Sequence, residues 1–176
     1  MINTKSQSLL IFLKSTLDGY DLSVIRVILT KYKPKIIVAE INEKVPPPVY
    51  FEVKYDSKYE WDHSHFFGFS LQAGYETLSP EGYIIDYLEE GNNVVCIHKE
   101  YLKIEQVDIR EIYNRDYLNV PGIIDKYPWN KDIHHWNTLT GESLLQDIKD
   151  YFTTARKMRG QTNLGVPIDE RAFIIK

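Results

Sequence analysis

The stretch Pro34-Lys35-Ile36-Ile37-Val38-Ala39-Glu40-Ile41-Asn42 decides the fold class. Five of its residues from Ile36 to Ile41 are apolar without alternation, and most are β-branched or small. That pattern suits a strand covered on both faces, as in a parallel sheet flanked by helices. Pro34 separates it from an amphipathic stretch, residues 21–32, in which Leu22, Ile25, Leu29 and Tyr32 share one face. Asp21 stands where a helix cap is expected. Upstream, residues 8–13 form a short apolar run compatible with a buried strand. Strand, helix and strand make a βαβ unit.

Working downstream, residues 49–55 alternate: Val49, Phe51, Val53 and Tyr55 fall on one side, with Tyr50, Glu52 and Lys54 between them. A half-exposed strand or extended arm is expected there. Ser70 caps the next predicted helix, whose inner face carries Leu71, Tyr75 and Leu78 and which Pro80 and Gly82 end. Residues 83–88 and 93–98 read as two strands joined by Glu89-Glu90-Gly91-Asn92, an antiparallel hairpin. Beyond Tyr101, Ile104, Val107, Ile112 and Tyr113 suggest one modest helix. Leu144, Ile148, Tyr151, Phe152 and Ala155 suggest a second, with Thr140 as its cap. Residues 121–136 read as an irregular aromatic segment.

Composition sets outer bounds. A chain of 176 residues is long enough for one domain with a real core. Its 21 basic and 25 acidic residues give a net charge of −4, which argues against a nucleic-acid partner. No apolar run approaches the roughly 20 residues of a membrane span. The apolar run at 9–13 is followed by no small-residue cleavage site, which argues against a secretory signal. One cysteine, Cys96, excludes an intrachain disulfide and points to a reducing, cytoplasmic setting. Flanked by Val94, Val95 and Ile97, it reads as a buried structural thiol.

Leu17-Asp18-Gly19 at the end of the first strand, Pro34 to Asn42, and Trp61-Asp62-His63-Ser64-His65-Phe66-Phe67-Gly68-Phe69-Ser70 together resemble the carboxyl-terminal half of a class I SAM-dependent methyltransferase of the FkbM type. The resemblance covers about residues 8–100. It implies an α/β fold with a partial Rossmann-like sheet, parallel strands ending in an antiparallel hairpin with helices on the faces. Residues 101–176 would then be a helical, aromatic-rich extension packed on the 1–100 half-domain. The family's first strand ends in Asp-x-Asp-Gly; Asp18 matches the second acidic position, and Thr16 stands at the first. The resemblance implies catalytic roles for Asp18, Glu40 and Asn42, and a substrate-facing loop with Trp61, Asp62, His65, Phe67 and Ser70. It also implies SAM as cofactor and a small-molecule or sugar substrate.

Each of these residues also has a plain structural reading. Asp18-Gly19 is a good turn, and Glu40 and Asn42 at the end of a buried strand need polar partners whatever their role. Asp62 and His65 could form an acid–base pair or two of the ligands of a metal, but two ligands are not a metal site. Residues 42–48 bear a distant likeness to the Asn-Pro-Pro-aromatic loop of amino-methyltransferases, with three residues intervening and after a different strand. His134-His135-Trp136 reads as a loop that packs Trp136 on the body.

A SAM site needs a glycine-rich turn after its first strand, and the chain contains no Gly-x-Gly. The expectation is a methyltransferase-like protein without the SAM-binding half, a remnant or a split subunit, inactive as an isolated chain. The other reading is a non-catalytic binding protein on a degenerate methyltransferase fold. On the first reading, with the sheet in the family order, the first strand would lie at an edge, covered by self-association, by a separate SAM-binding chain, or by the segment after Tyr101.

Overall fold

The computed structural model describes residues 12–15, 17, 19–58, 61–153 and 168–176. Thr16, Asp18, Ala155 and most of the expected 8–13 strand lie outside these.

The described part of the first strand is β1 (Phe12–Ser15). It leads through Gly19, at φ 130°, into α1 (Asp21–Leu29). Asp21 is the first helical residue rather than the cap. Its two carboxylate oxygens accept the Leu17 N–H at 3.2 Å, so it closes the turn before the helix. Then come β2 (Ile36–Glu40), β3 (Phe51–Val53), α2 (Leu71–Leu78), β4 (Tyr83–Glu89) and β5 (Asn93–His98).

Four strands form a mixed sheet in the order β1-β2-β5-β4. β1 runs parallel to β2, and β5 runs antiparallel to both β2 and β4. The hairpin therefore folds so that its second strand, not its first, joins β2. Its turn is tight because Glu90 and Gly91 both take positive φ, 55° and 85°, which suits the twist of the two strands. The protein is a mixed α/β fold.

The apolar faces explain the sheet. Leu22, Ile25 and Leu29 of α1 pack with Ile37 and Ala39 of β2 and with Val94 and Cys96 of β5. Burial pushes the Cys96 thiol well above its ordinary range, so it stays neutral. Leu71, Ala73 and Leu78 of α2 join the same cluster.

After the sheet the chain forms α3 (Ile109–Tyr113), a π-helical turn (Asn114–Leu118), α4 (Ile123–Lys126), a 3-10 segment (Pro128–Thr138) and α5 (Gly141–Thr153). The expected helix around 104–113 is thus shorter than its apolar spacing suggests, with Ile104 and Val107 left exposed. The expected irregular aromatic segment is instead mostly 3-10 helix, with Trp136 fully buried and its indole N–H on Asp147 at 2.7 Å.

A last strand, β6 (Phe173–Ile175), pairs antiparallel with β3 in a separate two-stranded ribbon. Phe51, Phe66, Phe152 and Phe173 meet there, with Phe51 and Phe152 stacked at 5.2 Å. Both hydrophobic clusters draw on residues from each side of residue 100: Ile112, Tyr113 and Tyr117 belong to the sheet cluster, while Val45, Phe51 and Phe66 belong with Trp136, Ile148 and Phe152.

All three residues of β3 are buried, where alternation predicts one open face. Glu52 faces Arg26 of α1, which makes a two-armed ion pair with its carboxylate and also donates to Tyr50 Oη and Thr77 Oγ1, each at 3.1 Å. Tyr50 in turn donates to Glu52 at 2.7 Å. Burial, then the Glu52 carboxylate, pushes the Tyr50 phenol up to about 12. Among the described residues no helix is long and apolar enough to cross a membrane.

Candidate functional site

The carboxyl end of β2 and the tip of the β4–β5 hairpin lie side by side, because the Ile41 N–H donates to the Asn92 carbonyl at 2.8 Å. In an open α/β sheet, this is the end where ligands collect. A cavity of about 130 Å³ opens here. Three elements besides β2 and the hairpin close it: the 42–48 loop, the 61–70 loop and the start of the 3-10 segment.

The 61–70 loop is shaped by its own short polar side chains. Asp62 Oδ1 accepts the Ser64 N–H at 3.1 Å, Ser64 Oγ accepts the Phe66 N–H at 3.1 Å, and the Trp61 indole donates to the Ser64 carbonyl at 3.0 Å. Between them His63 takes a positive φ of 62°. Trp61 leans on Phe67, ring centroids 5.6 Å apart, and both line the cavity.

Asn42 holds this loop in place. Its Nδ2 donates to the carbonyls of His65 and Phe67, both at 2.9 Å, and its own N–H donates to the Phe69 carbonyl at 2.7 Å. It is fully buried and does not line the cavity. Ser70 is likewise buried. Its Oγ caps α2 by accepting the Ala73 N–H, also accepts the Phe51 N–H at 3.0 Å, and donates to the Val49 carbonyl at 2.7 Å. Its hydrogen-bonding capacity is spent on backbone. Of the residues singled out in the sequence, Glu40, Trp61, His65 and Phe67 face the cavity; Asn42, Asp62 and Ser70 build its walls from behind; Asp18 lies outside the described residues.

The charged core of the cavity was not legible in the sequence. Glu43 and Lys44, adjacent and opposite in sign, are 3% and 7% exposed. Lys44 Nζ lies 3.3 Å from Glu43 Oε1 and 4.2 Å from the Phe67 ring centroid. Asn130 Nδ2 donates to Glu43 Oε1 at 3.0 Å and to Tyr117 Oη at 2.9 Å, and Tyr113 Oη donates to the Glu43 carbonyl at 2.9 Å. Burial first, then the nearby Glu43 carboxylate, holds the Tyr117 phenol well above its ordinary range. Burying an ion pair costs several kcal/mol per ion before its own attraction is counted, roughly cancelling the gain. Such a pair is therefore a weak source of stability in itself.

Glu40 stands near the rim, with Asn92 Nδ2 3.5 Å from its Oε1. Tyr127 and Trp129 complete the wall from the far part of the chain, packed edge to face with centroids 5.7 Å apart. Among the described residues no group of three or more His, Cys, Asp or Glu side chains is arranged to hold a metal ion. The arrangement is suited to gripping a small polar or charged group between aromatic faces, with a carboxylate at hand to accept a proton. No protein-family model, curated protein or solved structure matches the chain.

Proposed function

We propose that this chain is the substrate-side half of a class I SAM-dependent methyltransferase-like fold of the FkbM type, with a partial Rossmann-like sheet, acting as a split subunit or surviving as a remnant. The observation that carries the reading is topological. A parallel pair, β1 and β2, is followed by a hairpin whose returning strand β5 inserts antiparallel beside β2, leaving β4 outermost and parallel to β2. That arrangement supports the reading, which expects parallel strands finishing in an antiparallel hairpin. In this reading an acceptor substrate would sit in the cavity at the carboxyl end of β2, and Glu40, which lines it, would take the proton.

SAM itself would be held by a glycine-rich turn outside these 176 residues, since no Gly-x-Gly occurs among them. Titration calorimetry of the purified chain with SAM tests this division of labour. The expected result is no binding in the micromolar range. Micromolar binding would overturn the assignment of this chain to the substrate side alone.

A second reading, a non-catalytic binding protein on the same fold, is favoured by one observation. Asn42 and Ser70, which the resemblance places among the functional residues, are engaged in holding backbone. Methyl transfer on adding a SAM-binding partner chain would exclude it.

A further inference from the structure

We propose that two copies of this chain pair through the second face of the four-stranded sheet, with Lys14 of each copy meeting Glu89 of the other. The proposal goes beyond the methyltransferase-like reading and makes no use of SAM.

The register of the sheet sorts its residues between two faces. Ile37, Ala39, Ile85, Val94 and Cys96 share one hydrophobic cluster with the buried residues of α1 and α2. Residues paired across strands point the same way, and successive residues alternate. The second face therefore carries two rows that cross all four strands. One row is Phe12, Ile36, Ile97 and Ile84; the next is Lys14, Val38, Val95 and Tyr87. All but Lys14 are apolar or aromatic, and none of the eight belongs to either hydrophobic cluster. Phe12 and Tyr87, on the two outer strands, are 50% and 40% exposed. A sheet face this apolar is ordinarily packed against a second layer.

The charges on this face suit a second copy. Lys14 lies on β1, at one edge of the sheet, and Glu89 lies on β4, at the other, one row further along the strands. Both are exposed, and neither has an ion-pair or side-chain hydrogen-bond partner among the described residues. A two-fold axis along the strands, between β2 and β5, lays β1 over β4 of the other copy. It sets Phe12 against Ile84, Val38 against Val95, and Lys14 against the stretch from Tyr87 to Glu89. Each contact then occurs twice, the Lys14–Glu89 pair included. Sheets packed face to face lie about 10 Å apart with strands within about 30° of each other, a gap that a lysine and a glutamate side chain together can span. The face supplies both members of the pair, so a second copy completes it without a second kind of protein.

Sedimentation equilibrium on the full chain, from about 1 to 100 μM, is expected to show monomer passing to dimer. Lys14→Glu and Glu89→Lys, both at exposed positions, are each expected to weaken the dimer about tenfold or more, because each brings like charges together. Mixing the two altered chains is expected to restore it, since the mixed dimer regains both opposite-charge pairs. Circular dichroism matching the parent chain separates a lost contact from a lost fold. A monomer throughout the range would overturn the proposal and leave the face to another part of the chain or to a different protein. A dimer indifferent to both reversals, or one that mixing fails to restore, would overturn it as well. None of these measurements involves SAM, so their failure is distinct from a failure of the methyltransferase-like reading.

Discussion

Along the outer side of β4, backbone groups are met by side chains from residues 106–116. Gln106 acts as a substitute strand, its Oε1 accepting the Ile85 N–H at 2.8 Å and its Nε2 donating to the Ile85 carbonyl at 3.0 Å. Asp116 Oδ2 accepts the Leu88 N–H at 2.9 Å, and Arg115 donates to the Asp86 carbonyl at 3.1 Å. At the opposite edge, β1 has β2 as its only strand neighbour among the described residues, and Phe12 is half exposed. An edge strand left with free N–H and C=O groups is a template for further pairing. Side chains meet one edge of this sheet, and at the other no second strand pairs with β1 among the described residues. Of the segment after Tyr101, expected as one means of covering β1, residues 106–116 lie along β4 and β6 pairs with β3, while residues 154–167 lie outside the described residues.

If the finished edge depends on α3 being anchored in the sheet core, Ile112→Ala should have the largest effect. Ile112 is fully buried in that cluster, and its truncation should cost about 2–5 kcal/mol by chemical denaturation. A loss under about 1 kcal/mol would mean that the segment only rests on β4. Next, Gln106→Ala should cost about 1 kcal/mol and speed hydrogen exchange at the Ile85 amide, leaving β5 amides protected. Unchanged exchange at Ile85 would show that the side-chain clamp is incidental.

The clamp at Leu88 should also respond to acid. Burial raises the Asp116 pKa, but Arg115 and the Leu88 amide outweigh it, so the net position is below the ordinary carboxylate value of 3.8. A carboxylate depressed in the folded state contributes stability that is complete above its unfolded pKa and is lost as pH falls through the folded one. Stability measured from pH 5 downward should therefore fall less steeply in Asp116→Asn than in the parent chain. A parallel fall in both would remove Asp116 from the account.

At the β1 edge the expected effect is the smallest. Phe12→Lys should change the stability of the dilute, monomeric chain by no more than about 0.5 kcal/mol, as at other exposed surface sites. A loss above about 1.5 kcal/mol would show that β1 is already covered.

The features legible in the sequence were those set by neighbours along the chain. β2, the 83–98 hairpin and the Ser70 cap each follow from a local pattern of apolar spacing, a positive-φ turn or a capping hydroxyl. Glu52 was not legible as buried, because its partner Arg26 lies on another element and reads locally as the polar face of α1. Glu43 and Lys44 were missed for the same reason. Adjacent opposite charges usually mark a solvated loop, and the bonds that Asn130 and Tyr113 from the far half make to Glu43 have no local signal.

The sequence by itself determined the element order from β1 to β5 and the mixed parallel and antiparallel character of the sheet. Those follow from hydrophobic period and turn chemistry, which act over a few residues. Tertiary structure alone decided that β3 is buried on both faces, that the β4 edge is met by side chains, and that Tyr127 and Trp129 line the same cavity as Glu40 and Lys44. These rest on contacts between residues distant in the chain, and no local period encodes which distant partner will arrive.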